Sequence, residues 1–451
     1  MISIIQKRTI VFITMVLFCF FFTDAFIAEA QISKLWNKVK SKVSQKQKPT
    51  SANKNKKMGD KNFILDLLKK QPDKFGKVLD SVAKYRVQII YTQIDRNKKN
   101  IPSFKEFSYR LNPAEYYYPA STVKLPVLCM ALEKLNNLKI EGLNKYTRLQ
   151  IGTGHSCQSA VISDSTSENR FPSIAHYIKK ILLVSDNDAY NRLYEFLGPQ
   201  YINARLKEMG YTNAAIIRRF STCSVDENRF TNPFTFFDAN GNIIYSQDAK
   251  ENPEKIMNPS ANVKIGNAFL DDNGTFVKGP MDFSGSNCLN LSDLNEIMKS
   301  VIFPEVAPTN HKFNLTPDDY KLVYKYMSMF PSEAVCPAYV NAYYDSWKKY
   351  FIYGGTQGRI TNKYIRIFNI VGMAYGFLID CAYIVDFKTS TEFMLTAVIY
   401  VNEDGILNDD KYEYFTVGMP FLSELGKTIY EHEKKRKKKS LPDLEKFKVN
   451  Q

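Results

Sequence analysis

The chain has 451 residues, four histidines and a net charge of +15. The charge would suit a nucleic-acid binder, but it sits at the ends. Residues 31–61 hold ten lysines against one aspartate, residues 427–451 hold nine positive against four negative charges, and residues 62–426 keep only +1. A nearly neutral body excludes nucleic-acid binding as its main task, and four histidines with no Cys-x-x-Cys leave poor material for a zinc site.

In chain order, Lys7 and Arg8 precede an apolar run from Ile10 to Phe22 and then Ala28-Glu29-Ala30. A charged start, an apolar stretch and a small-x-small site predict an export signal cleaved after Ala30. An uncleaved anchor is the alternative, although the run is short for a membrane span. Phe18 before Cys19 is bulky for a lipidation site. We expect an exported chain, periplasmic or secreted, which permits disulfides. Six cysteines remain after cleavage, and their pairing is not readable. Cys129 and Cys381 lie in apolar runs and are expected as buried free thiols.

Residues 31–61 are lysine-rich and nearly without large apolar side chains after Val43, so they read as a linker. Both basic tails are expected to be solvated arms that can also touch an anionic envelope surface. Helical spacing runs over residues 63–84, and strands are predicted at 86–94 and 104–111. Residues 121–138 read as a helix with an apolar stripe from Val123 to Leu135. Helices follow at 173–184, 188–197 and 199–209. Residues 235–285, with Asp238-Ala-Asn-Gly and Asp271-Asp-Asn-Gly, read as a loop-rich insertion with a hairpin. Helices are predicted at 291–302 and 316–329, strands at 365–371, 376–387 and 392–401, and a last helix at 415–435. That order predicts an α+β fold: an antiparallel five-stranded sheet covered by terminal helices, with an all-helical lobe inserted between strands two and three.

Two motifs carry chemistry. Ser121 and Lys124 stand three apart at a helix start, on one face. An alcohol becomes a nucleophile when a base takes its proton, and a lysine serves if burial or nearby cations lower its pKa. Helix-start N–H groups favour a developing oxyanion. The same spacing recurs at Ser51–Lys54 and Ser346–Lys349, where the surroundings add nothing. Sixty-four residues after Ser121 comes Ser185-Asp186-Asn187, which by itself equally suits a helix cap.

With Pro119-Ala-Ser-Thr-Val-Lys124, Leu183-Val-Ser-Asp-Asn-Asp188, Thr231-Asn-Pro233 and the strand pair Phe368–Asp386, the chain resembles the class A β-lactamases and, more broadly, the penicillin-recognising serine hydrolases. The resemblance implies a β-lactamase-like domain over 62–430 and a basic tail at 431–451. It makes Ser121 the acylated nucleophile, Lys124 its base, Ser185 a proton relay to the leaving nitrogen and Asn187 a substrate contact. The N–H groups of Ser121 and Met373, beside Gly372, would form the oxyanion hole. Glu227, with Asp226 next, is the candidate for activating the deacylating water; pairing with Arg219 or Arg229 is the bland use of Glu227. Two positions depart from the family. Ile370 and Val371 stand where it carries Lys-Thr before Gly372. Arg366 could bring charge from the same strand face, at roughly 13 Å, and Lys363 less so.

We therefore expect an exported, monomeric serine hydrolase without cofactor, forming an acyl-enzyme on a β-lactam or peptide-like amide. Alternatives are a peptidoglycan-directed peptidase of the penicillin-binding kind and a binding protein that keeps the fold without turnover. The abundant Tyr and Phe lie in periodic segments and read as core rather than as a carbohydrate surface.

Overall fold

A computed structural model describes residues 56–155, 157–260 and 263–448, all within one compact unit. The expected export signal and nearly all of the linker lie outside these residues. At their start, Lys56–Met58 (β1) pairs in parallel with Pro102–Tyr109 (β3). Gln88–Arg96 (β2), Ile365–Ala374 (β4), Phe377–Asp386 (β5) and Thr391–Tyr400 (β6) complete a sheet of order β1-β3-β2-β6-β5-β4. The five expected antiparallel strands are present, and β1 makes a sixth. Strands β5 and β6 are buried along their whole length, as a sheet covered on both faces requires.

One face packs against terminal helices: Phe63–Lys69 (α1), Pro72–Leu79 (α2) and Met419–Lys435 (α9). Ile64, Leu68, Phe75, Leu422, Leu425 and Ile429 close this layer over Ile89, Leu378 and Leu395. The predicted single helix over 63–84 is broken, because Pro72 starts a new one; proline fits only the first turn of a helix.

The other face carries the inserted lobe: Lys124–Leu138 (α3), Ile174–Val184 (α4), Asn187–Leu197 (α5), Pro199–Glu208 (α6), Leu291–Ile302 (α7) and Pro317–Ser328 (α8). Their apolar stripes meet Ile90, Ile94, Ile370, Ile379 and Tyr383. Among the described residues no helix is long and apolar enough to cross a membrane.

The 235–285 insertion contains short antiparallel pairs. Phe234–Phe237 pairs with Ile243–Gln247 and with Arg148–Ile151. Ala268–Leu270 pairs with Phe276–Lys278, and in parallel with Ile406–Leu407 beyond the main sheet.

The C-terminal basic segment departs from the solvated arm expected of it. Leu444 and Phe447 are buried. The Phe447 ring lies 4.8 Å from Tyr383, and 5.3 Å from both Phe368 and Tyr324, between centroids. Its lysines surround an apolar anchor that completes the core between β4, β5 and α8. Emptying this site by Phe447→Ala is expected to cost about 3 kcal/mol, seen as a lower urea midpoint with unchanged slope.

Candidate active site

The predicted helix at 121 begins one turn differently. Ala120–Val123 is a 3-10 turn, and the α-helix starts at Lys124. The Thr122 hydroxyl donates to Pro119 O at 2.6 Å and so tightens the turn. Pro126 falls in the first turn of α3, where its missing N–H leaves no intrahelical bond unmade. Ala120 has φ +46°, in the left-handed region that costs a non-glycine residue roughly 1 kcal/mol or more. Strand β4 holds this turn. A Cβ at Gly372 would meet Pro119 O at 2.8 Å and Ala120 Cβ at 3.1 Å, so only glycine lets the strand approach so closely. Gly372 thus sits against the turn that carries half-buried Ser121, while Met373 is 37% exposed at the strand's end.

Lys124 is 0% exposed. Its amine donates to Ser185 O at 2.5 Å, Ser185 Oγ at 3.2 Å and Asn187 Oδ1 at 2.7 Å. The Phe220 and Tyr190 rings lie 5.2 and 5.9 Å away. Burial holds its pKa well below that of an ordinary lysine; Lys348 pushes the same way, and Asp186 opposes them.

Ser185 ends α4 in the left-handed conformation, φ +62°. Asp186 caps α5 by accepting from Ala189 N at 2.8 Å. The cap reading of this motif therefore holds together with its closeness to Lys124. The helix–turn–helix joint aims Ser185 and Asn187 at the amine, and the two separate motifs meet.

Glu227 lies elsewhere in its bonding. Its carboxylate accepts from Ser224 N at 2.8 Å and lies 3.9 Å from His155 Nδ1. Bonds from Ser224 hold its pKa below the usual carboxylate range. It pairs with neither arginine suggested for it: Arg219 bonds Glu195 at 2.9 Å, and Arg229 meets Asp226 and Glu251. A disulfide, Cys157–Cys223, ties this loop to the segment before α4. His155, Cys157 and Glu227 offer ligand atoms within 4.8 Å of one another, but the Cys157 sulfur is already spent in the disulfide. Cys129 and Cys381 are buried free thiols, as expected.

The candidates for positive charge on the strand resolve differently. Arg366 is held by both oxygens of Glu333, each at 2.8 Å, and Lys363 lines a cleft with Glu333 and Arg359. Ile370 is fully buried in the core under the helical lobe. Sequence reasoning missed Lys348 and Lys349, buried beside α4 and β4. Their signals were a lysine pair set between Trp347 and Tyr350-Phe351 and, for Lys349, the Ser346–Lys349 spacing.

A model of the Beta-lactamase enzyme family matches residues 73–261, the stretch that contains Ser121, Lys124, Ser185, Asn187 and Glu227. Among solved structures, a beta lactamase from Xanthomonas campestris pv. campestris is similar at 12% identity, covering 82% of this chain and 97% of that one, with TM-score 0.44. A class A beta-lactamase from Clostridium kluyveri is similar at 13% identity, 82% and 98% coverage and TM-score 0.43. An ancestral class A β-lactamase (GNCA) gives 13%, 82%, 98% and 0.42. No curated protein matches. Over residues 73–261 the chain is thus similar to the Beta-lactamase enzyme family.

Two outcomes test this geometry. Gly372→Ala should destabilise the protein by about 1–3 kcal/mol, read as a lower melting temperature, because the new methyl group must push the Ser121 turn aside. The depressed pKa of Lys124 costs nothing above the ordinary lysine value, where folded and unfolded chains are both neutral there. Below it the unfolded chain binds the proton first, so this cost grows as pH falls toward the folded value. Lys124→Met should therefore gain stability relative to the parent as pH is lowered from the ordinary lysine range, measured by urea unfolding.

Proposed function

We propose that this chain is an exported serine hydrolase that forms an acyl-enzyme through Ser121 on a β-lactam or a related amide bond. The observation that carries the reading is Lys124, an amine fully withdrawn from water, one turn from Ser121 and bonded to Ser185 and Asn187. A depressed pKa keeps a larger share of it neutral; the neutral amine gives at most two of its three bonds, and its lone pair can take the Ser121 proton. Oγ then attacks the substrate carbonyl carbon, and the oxyanion forms near the N–H groups of Ser121 and Met373. As the C–N bond breaks, the proton passes from Lys124 through the Ser185 hydroxyl to the leaving nitrogen. Asn187 orients both Lys124 and the substrate amide. Water then releases the acyl group, with Glu227 as the candidate base.

A second reading has one observation in its favour. The Glu227 carboxylate is engaged as an acceptor by its own loop and is held more acidic than usual. A weak base there would leave a long-lived acyl-enzyme, as in a penicillin-binding peptidase directed at peptidoglycan. A fold-retaining binding protein is the remaining alternative, and it gives no reason to keep all of Ser121, Lys124, Ser185 and Asn187. The N-terminal pattern supports export, and we take the working unit to be a monomer whose basic tails can meet an anionic envelope surface.

The test is incubation with a fluorescent penicillin and with a chromogenic cephalosporin. We expect a covalent label on Ser121 that Ser121→Ala abolishes, and labelling slowed about 100-fold or more in Lys124→Met. Cephalosporin turnover would favour the lactamase reading, and a label stable for hours the penicillin-binding one. Neither label nor turnover would sink both lactam-directed readings and favour the binding protein.

A further inference from the structure

Two amines are buried at one helix end, and a third lies next to them in the chain. The last carbonyls of a helix have no intrahelical partner and carry the negative end of its dipole. At the end of α4, Lys348 donates to Ile181 O at 3.2 Å and Leu182 O at 2.7 Å. The Trp347 indole N–H donates to Val184 O at 3.2 Å, and Lys124 takes Ser185 O at 2.5 Å. A loop element, Asp345–Lys348, thus grips the same joint that Lys124 grips from α3.

Lys349, next in the chain, bonds Met327 O of α8 at 2.6 Å, and Ile367 O and Asn369 Oδ1 of β4, each at 2.8 Å. Asn369 Nδ2 donates to Lys348 O at 2.5 Å and to Asp380 Oδ1 at 2.8 Å. Lys348, Lys349, Asn369 and Asp380 are all 2% exposed or less. The groups facing Lys124 are Lys348, Asp186, Tyr190 and Phe220; those facing Lys348 are Asp380, Lys349 and Lys124. Lys348 and Lys349 therefore share one fully buried carboxylate, Asp380, while Lys124 has only Asp186 nearby, so the three amines cannot all hold protons cheaply.

We propose that Lys348 is a positioning residue of the Ser121 site: its amine, seated on the last carbonyls of α4, fixes the Ser185 turn and competes with the Lys124 amine for charge on one helix end. Burial brings Lys348 itself down to about 7 and raises Asp380 to about 7. Below that pH Lys348 is charged, and a proton on Lys124 would put two ammonium groups on one helix end. The role of Lys124 as base rests on the acyl-enzyme reading; the coupling between the two amines does not.

The experiment separates the two. Protein labelled with ¹³C at lysine Cε is titrated by NMR, with the Lys124 and Lys348 signals assigned from Lys124→Met and Lys348→Met. In Lys348→Met the Lys124 midpoint should rise by roughly one pH unit. In the unsubstituted protein both signals should show two inflections, as coupled sites do. An unchanged Lys124 midpoint, or two independent single-step curves, would overturn the proposal. Penicillin labelling is followed in parallel. Its pH profile should move up with the midpoint, whereas absence of label in every variant counts against the acyl-enzyme reading alone.

Discussion

The structure depends on one constraint: a lysine amine with no access to water must find acceptors in the protein. Lys124 finds them at the joint between α4 and α5, and that joint is where the two sequence motifs meet. A helix end supplies unpaired carbonyls and a negative dipole, so it suits a buried amine. The same end also receives Lys348 and Trp347. The position of Ser185 is thus set by side chains arriving from α3 and from a loop more than 160 residues downstream. On the far side, β4 leans on the Pro119–Ala120 turn through Gly372. Ser121 is held between these supports rather than by its own helix alone.

The two halves of the proposed chemistry are built unequally. The acylation half has a dehydrated amine, two oriented partners and aromatic walls. On the deacylation side Glu227 is a surface carboxylate, fastened by Ser224 and stabilised in its charged form. Glu195, a buried carboxylate of α5, is consumed by Arg219 and Asn232. A charged group surrounded by donors is a weak base, while an amine in a crowded, like-charged environment is a ready one. The asymmetry arises from solvent access and neighbouring charge, not from residue type.

Helices α3 to α8 and the three long strands were legible because their apolar residues repeat at 3.6 or fill both faces of a covered strand. The 3-10 turn at Ser121 was not, since it depends on the Thr122–Pro119 bond and on pressure from β4. The C-terminal segment misled for a physical reason: a run of lysines dominates composition, while one aromatic ring, Phe447, decides where the chain goes. Arg366 was a reasonable source of charge from its strand position, until Glu333 met it from another element.

By itself the sequence determined the elements, the α+β order and the residue types of the site, because periodicity and short-range spacing are local properties. It also contained Ser121–Lys124 and Ser185–Asn187 as two separate signals. Only the tertiary structure decided that they touch, that Glu227 serves its own loop, and that Lys348 shares a helix end with Lys124. Those outcomes depend on burial and on partners far apart in the chain, and the pKa of an amine is set by these and not by its sequence neighbours.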